Sequence, residues 1–122
     1  MVGADATVES SIVRRTRAVP VFGFGDGLLV GALPNAGQLE SGTLTVLDSV
    51  VEERARAGLS NFVADATLTS GWFDCNPIDL DLEPDPQHPG GFQDNGGNRC
   101  GCAQAEWACR VLSANLDPPG SL

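Results

Sequence analysis

The sequence predicts a small α+β domain that leans toward β. Three observations support this: two apolar runs flank Asp26-Gly27, apolar residues recur at helical spacing in two later stretches, and the chain has 122 residues with 15 Gly and 8 Pro. That length suits one domain, since domains cluster at roughly 100–150 residues. No stretch approaches the ~18–20 uninterrupted apolar residues of a spanning helix.

Residues 1–18 read as an extended N-terminal arm, 19–116 as the domain and 117–122 as a C-terminal tail. An apolar β-hairpin is expected over about 19–33, because Asp-Gly between apolar runs favours a two-residue type I′ turn with φ > 0 at both positions. Pro20 fits a first strand position or an edge. The hairpin is apolar on nearly every non-Gly position except its turn, so Val21, Phe22, Phe24, Leu28, Leu29 and Val30 are candidate interface residues. Either both faces are covered within the fold, as an internal core hairpin, or another molecule covers one, and a chain this short has little material to cover both.

A helix is expected near 44–57. Leu44, Leu47, Val50 and Val51 recur at three- and four-residue steps and Gly58 could end it; residues 43–46 could instead end a strand, with the helix beginning near Asp48 as its N-cap. Strands are expected over about 59–73, with Phe62, Ala64, Ala66 and Leu68 on one side. Residues 74–101 are loop-rich. Within them Ile78, Leu80 and Leu82 alternate with Asp79, Asp81 and Glu83, as in a short strand that shows its acids to solvent. A C-terminal helix is expected over about 102–116, from the strong formers Ala103, Ala105 and Ala108 and an apolar stripe of Trp107, Val111 and Leu112. No internal repeat of any length is visible.

Seven arginines against sixteen acidic residues give a net charge of −9, with no Lys. Such a surface repels phosphate, which argues against binding nucleic acid through counterion release and against docking on anionic lipid. Residues 1–60 carry five Arg and seven acids, residues 61–122 two Arg and nine acids. Arg14, Arg15 and Arg17 concentrate positive charge near the beginning and join the candidate interface. This polarity suits head-to-tail contact between copies. The twin Arg14-Arg15 resembles an export signal, but Arg17, Asp26 and the intervening glycines interrupt its apolar region. No cleaved leader is expected.

Cys75, Cys100, Cys102 and Cys109 are an even set that could form two disulfides. Pairing Cys75 with Cys100 or Cys102 would staple a Gly/Pro-rich loop. Cys102 and Cys109, if on one continuous helix, lie about 10 Å apart, beyond disulfide reach. The alternatives are Zn²⁺ or an iron–sulfur cluster on the same four residues, although the spacing lacks the usual short knuckle, and reduced, partly buried thiols. The acids 79, 81, 83 and 85 do not fit an EF-hand loop.

Catalysis has little support. His88 is the single histidine and sits in a loop, and no G-x-S-x-G elbow or G-x-G-x-x-G loop is present. Elimination leaves a non-enzymatic structural subunit of a larger protein assembly, most concretely a small virion protein that decorates a capsid or belongs to a tail. It would need no cofactor, and its partners would be other protein subunits. It would reside in the assembled particle or the cytoplasm. Two alternatives stand beside it: a small acidic inhibitor or regulator that occupies a basic site on a partner, and a cysteine-rich metal-binding interaction module.

Overall fold

The computed structural model describes residues 5–15, 17, 25–31, 33–35, 38–40, 42–54, 56–83 and 90–113. The strands in chain order are β1 (Asp5–Glu9), β2 (Ile12–Arg14), β3 (Leu28–Gly31), β4 (Leu33–Asn35), β5 (Gln38–Glu40), β6 (Thr43–Leu47), β7 (Val50–Glu52) and β8 (Ala57–Phe62). They continue with β9 (Asp65–Thr69), β10 (Trp72–Asp74), β11 (Ile78–Glu83), β12 (Gly91–Asp94), β13 (Arg99–Cys102), β14 (Ala105–Trp107) and β15 (Val111–Leu112). Among the described residues there is no helix.

Successive strands do not pair with each other. β1 pairs in parallel with β6, β6 with β9, and β9 with β12. The second sheet runs β2, β7, β10, β13, all parallel, and the third runs β3, β8, β11, β15. The chain therefore winds through three sheets per coil, each coil laid on the last, which makes a three-sided parallel β-solenoid. Two antiparallel pairs depart from this: β4 with β5, and β14 against the outer side of β13.

The in-register columns explain the core. Leu44 stands over Ala66, Val46 over Leu68, and Val51 over Phe73, and all six are buried. Ser49 and Gly71, then Arg54 and Asn76, occupy the matching buried positions at the corners. Buried positions thus step by two along a strand and by three across a corner. The corner residues Ser10, Asp48 and Ser70 have φ of 48, 46 and 52°, and five positions later Arg15, Glu53 and Cys75 have φ of 58, 53 and 53°. These left-handed residues turn the chain while their N–H groups bond to the next coil, as Asp48 N donates to Thr69 O at 3.1 Å and Glu53 N to Asp74 O at 3.0 Å.

An asparagine seals each of the three corners. Asn98 accepts from Gly71 N and donates to Leu68 O, both at 2.8 Å, between the first and second sheets. Asn76 donates to Val51 O at 2.9 Å and accepts from Arg54 N at 3.1 Å, between the second and third. Asn61 accepts from Ala64 N at 2.8 Å and donates to Ala64 O and Gly91 O at 2.9 and 3.0 Å, between the third and first. Buried backbone groups must find partners, and these amides supply them where the ladders stop.

Several expectations are overturned. The domain is all-sheet, not α+β. The stretch expected as a helix near 44–57 is β6, β7 and the start of β8. A three-residue step across the Asp48 corner mimics helical periodicity, while Thr43, Thr45, Val46, Val50 and Val51 favour a pleated surface. The stretch expected as a helix over 102–116 contains the end of β13, a turn with Ala103 and Gln104 at φ of 51 and 71°, then β14 and β15. Alanine propensity, worth tenths of a kcal/mol per residue, yields there to strand pairing and disulfides. Residues 114–116 lie outside the described residues, as do 117–122.

The expected hairpin over 19–33 fails at its turn, and its residues 19–24 and 32 lie outside the described residues. Neither Asp26 nor Gly27 has positive φ, and Leu28–Gly31 pairs in parallel with Leu59–Phe62. Gly27 is needed for close approach: a Cβ there would lie 2.4 Å from Val51 Cγ1 and 2.8 Å from the Gly58 carbonyl oxygen. An internal repeat also exists. Asp5-Ala6-Thr7-Val8 and Asp65-Ala66-Thr67-Leu68 occupy the same columns of the first sheet. Coils of unequal length, one containing the β4–β5 hairpin, remove any fixed period.

Candidate functional site: the ends of the coil

A solenoid has two ends where strands have a neighbour on one side only, and unpaired edge groups are templates for pairing with another chain. At one end stand β1, β2 and β3, the outermost strands of the three sheets. At the other stand β12, β14 and β15. The exposed large apolar side chains among the described residues are Ile12, Leu29, Trp107, Val111 and Leu112. All five lie on outermost strands, on β2, β3, β14 and β15. Among the described residues the middle coils bury or half-bury their large apolar side chains, and the exposed ones are confined to the terminal coils.

The two ends are built differently. At the first coil, no strand among the described residues pairs with the outer edges of β1, β2 and β3. Charge alternates across its surface: Asp5 and Glu9 lie on β1, Arg14 and Arg15 at the end of β2, and Arg17 just beyond. Arg15 Nε meets Glu53 Oε2 of the next coil at 3.0 Å, and Arg14 meets Glu52 at 3.8 Å. The Arg15 pair is exposed and the Arg14 pair is open on its arginine side, and such surface pairs contribute about 0–1 kcal/mol each.

The last coil is partly sealed. β14 folds back on β13, pairing Cys100 with Trp107, Gly101 with Glu106 and Cys102 with Ala105. Disulfides join Cys75 to Cys102 and Cys100 to Cys109, with Cα separations of 4.4 and 5.0 Å. The first matches one of the two pairings expected for Cys75. The second became possible because residues 102–109 reverse direction instead of running on as a helix. Asp74, Cys75 and Cys102 gather their ligand atoms within 4.8 Å, but the two sulfurs are bonded to each other. All four cysteines of the metal alternative are therefore committed to bridges.

The acids of β11 sit where the sequence did not anticipate. Leu80 points into the core, so Asp79, Asp81 and Glu83 share the opposite face, yet they are 7%, 0% and 8% exposed. Arg56 binds Asp26 Oδ2 at 2.5 Å and Asp81 Oδ2 at 2.8 Å, and donates to Ser60 Oγ at 2.7 Å. Asp26 Oδ1 also accepts from Ala57 N at 3.3 Å, which fixes the segment before β3 onto β8. Trp107 Nε1 donates to Asp79 Oδ2 at 3.0 Å, and Ser113 Oγ to Glu83 Oε2 at 2.7 Å. Burial raises the pKa of Asp79, opposed by the Trp107 hydrogen bond and the Arg110 charge. Burial likewise raises that of Asp81, opposed by Arg56 and reinforced by Glu83. Strict alternation over 78–83 was the available signal, but it cannot tell a solvated face from one roofed by later chain.

The predicted interface residues separate into three groups. Val21, Phe22 and Phe24 lie outside the described residues, as does His88. Val30 is buried and Leu28 half-buried, both packed in the core. Leu29, Arg14, Arg15 and Arg17 are exposed, the first three on or beside the open edge of the first coil. Ile12, Val111 and Leu112 were not singled out as interface residues, because that reading rested on the expected hairpin. Comparison with protein-family models, curated proteins and solved structures gives no match.

Proposed function

We propose that this chain is a non-enzymatic structural subunit that works by assembling with other protein subunits through the end of its coil. The observation that supports this reading is the segregation of exposed large apolar residues to outermost strands. Ile12 and Leu29 mark the end where no strand among the described residues pairs with the outer edges of β1, β2 and β3. Main-chain groups on an open edge give affinity through ladder bonds, and side chains at alternate positions give selectivity.

The buried carboxylates favour a structural over a catalytic role. Asp81 is held by Arg56, Asp79 by Trp107 and Glu83 by Ser113, so each takes part in fastening an outer segment to β8 or β11. Two disulfides in so short a chain suit a working place that is oxidising, such as the outside of a released particle. A capsid-decorating or tail component is the concrete form proposed.

Sedimentation velocity over a wide concentration range tests the reading. The mass should rise with concentration, and Ile12→Asp should hold the chain monomeric with unchanged far-ultraviolet circular dichroism. A monomer at every concentration, with added salt and without, would overturn it and favour the acidic-inhibitor alternative.

A further inference from the structure

We infer that the partner at the open end is a second copy of this chain, joined first coil to first coil in a closed, two-fold dimer. This rests on the assembly reading above and adds the identity and orientation of the partner.

The two ends cannot simply be stacked in series. Gly101 stands in the column of Arg14, Glu52 and Asp74, and β14 pairs Glu106 with Gly101 on the outer side of β13. β14 therefore fills the place that the second strand of a following coil would take. A copy laid on β12 and β15 by its β1 and β3 would drive its β2 into β14. Head-to-tail continuation through all three sheets is blocked, whereas the first coil presents β1, β2 and β3 with no such obstruction among the described residues.

The open end also carries exposed charge of both signs, although Arg14 and Arg15 already meet Glu52 and Glu53 of the next coil. It carries two acids, Asp5 and Glu9, and three bases, Arg14, Arg15 and Arg17. A two-fold operation reverses strand direction, so edges meet antiparallel, and a patch carrying both signs can match its own copy. An isologous contact needs such self-complementarity, and it closes after two subunits. Charges on an edge also discourage indiscriminate pairing, so the same arginines exclude partners lacking matched acids. Ile12 and Leu29 supply apolar contact beside those charges.

The test uses the full, oxidised chain and two charge-reversed variants. One is Arg14→Glu with Arg15→Glu, whose open end becomes acidic; the other is Asp5→Arg with Glu9→Arg, whose open end becomes basic. All four positions are exposed. Each variant alone should weaken dimerisation at least tenfold, and an equimolar mixture should recover a 1:1 heterodimer. Leu112→Asp, at the sealed end, should leave the wild-type dimer intact. Masses growing past the dimer, or loss of association in Leu112→Asp, would overturn the first-coil geometry while leaving assembly standing. A wild type that never associates would overturn the assembly reading itself.

Discussion

The indole N–H of Trp107 donates to Asp79 Oδ2 at 3.0 Å, fastening the strand that runs against the coil to an acid row roofed over by the chain. The other oxygen of Asp79 is buried and accepts no hydrogen bond among the described residues. A charged carboxylate so placed is expensive, and the cost depends on pH.

Asp79 and Asp81 have folded pKa values raised by burial, so the native state binds more protons than the unfolded chain. Their contribution to stability is fully present below the ordinary carboxylate pKa, near 4, and is lost as pH rises through the folded values. Asp79→Asn should therefore leave the urea midpoint close to wild type at pH 4 and raise it relative to wild type at pH 7.5. Urea titrations at the two pH values check this. An unchanged difference between variant and wild type would contradict it.

Arg56 compensates two carboxylates whose side chains are 4% and 0% exposed. Arg56→Met keeps the aliphatic bulk and leaves Asp26 and Asp81 without their shared cation. Removing one partner of a buried ion pair costs about 3–5 kcal/mol, and chemical denaturation should read a loss of that order. A loss below about 1 kcal/mol would mean that water, not Arg56, compensates the acids.

Asn61 makes three hydrogen bonds to backbone at a corner where no ladder can. At a net ~1 kcal/mol per bond, Asn61→Ala should cost about 3 kcal/mol. Native-state hydrogen exchange should locate the loosening at Ala64 and neighbouring amides. Half-buried Thr45, in mid-strand, makes no such corner contact, and Thr45→Ala should cost clearly less than Asn61→Ala.

The Cys75–Cys102 bridge spans 27 residues of sequence. On the loop-entropy estimate it stabilises by about 3.5 kcal/mol, against about 2.5 kcal/mol for the shorter Cys100–Cys109 loop. Cys75→Ser with Cys102→Ser should accordingly lower the thermal midpoint more than Cys100→Ser with Cys109→Ser, provided the buried Cys100 site is filled without strain. Non-reducing peptide mapping should recover these two pairings and no other.

Much of the strand content was legible and the architecture was not. Phe62, Ala64, Ala66 and Leu68 read as one side of strands because their alternation is regular, and all four are buried. Leu44, Leu47, Val50 and Val51 misled because a corner interrupts alternation: the residues that face inward are Leu44, Val46, Ser49 and Val51. Two of those are not where a helical stripe would put them, and Ser49 is polar. The inward pattern of steps two, three, two recurs at Ala66, Leu68, Gly71 and Phe73, a signal that neither helix nor single-strand templates detect. Ala103, Ala105 and Ala108 promised a helix on local propensity alone, and the bonds that overrule it come from Cys75 and β13, distant or reversed in the chain. The open edge of the first coil was beyond reach for the same reason, since edges exist only once sheets are assigned.

Hydrogen-exchange mass spectrometry of the wild-type chain, at low and high concentration, tests the central claim most directly. If the first coil is the assembly surface, exchange in residues 5–14 and 28–31 slows as concentration rises while that in 91–94 and 105–112 stays constant. Uniform exchange at both concentrations, or protection confined to the last coil, would contradict it.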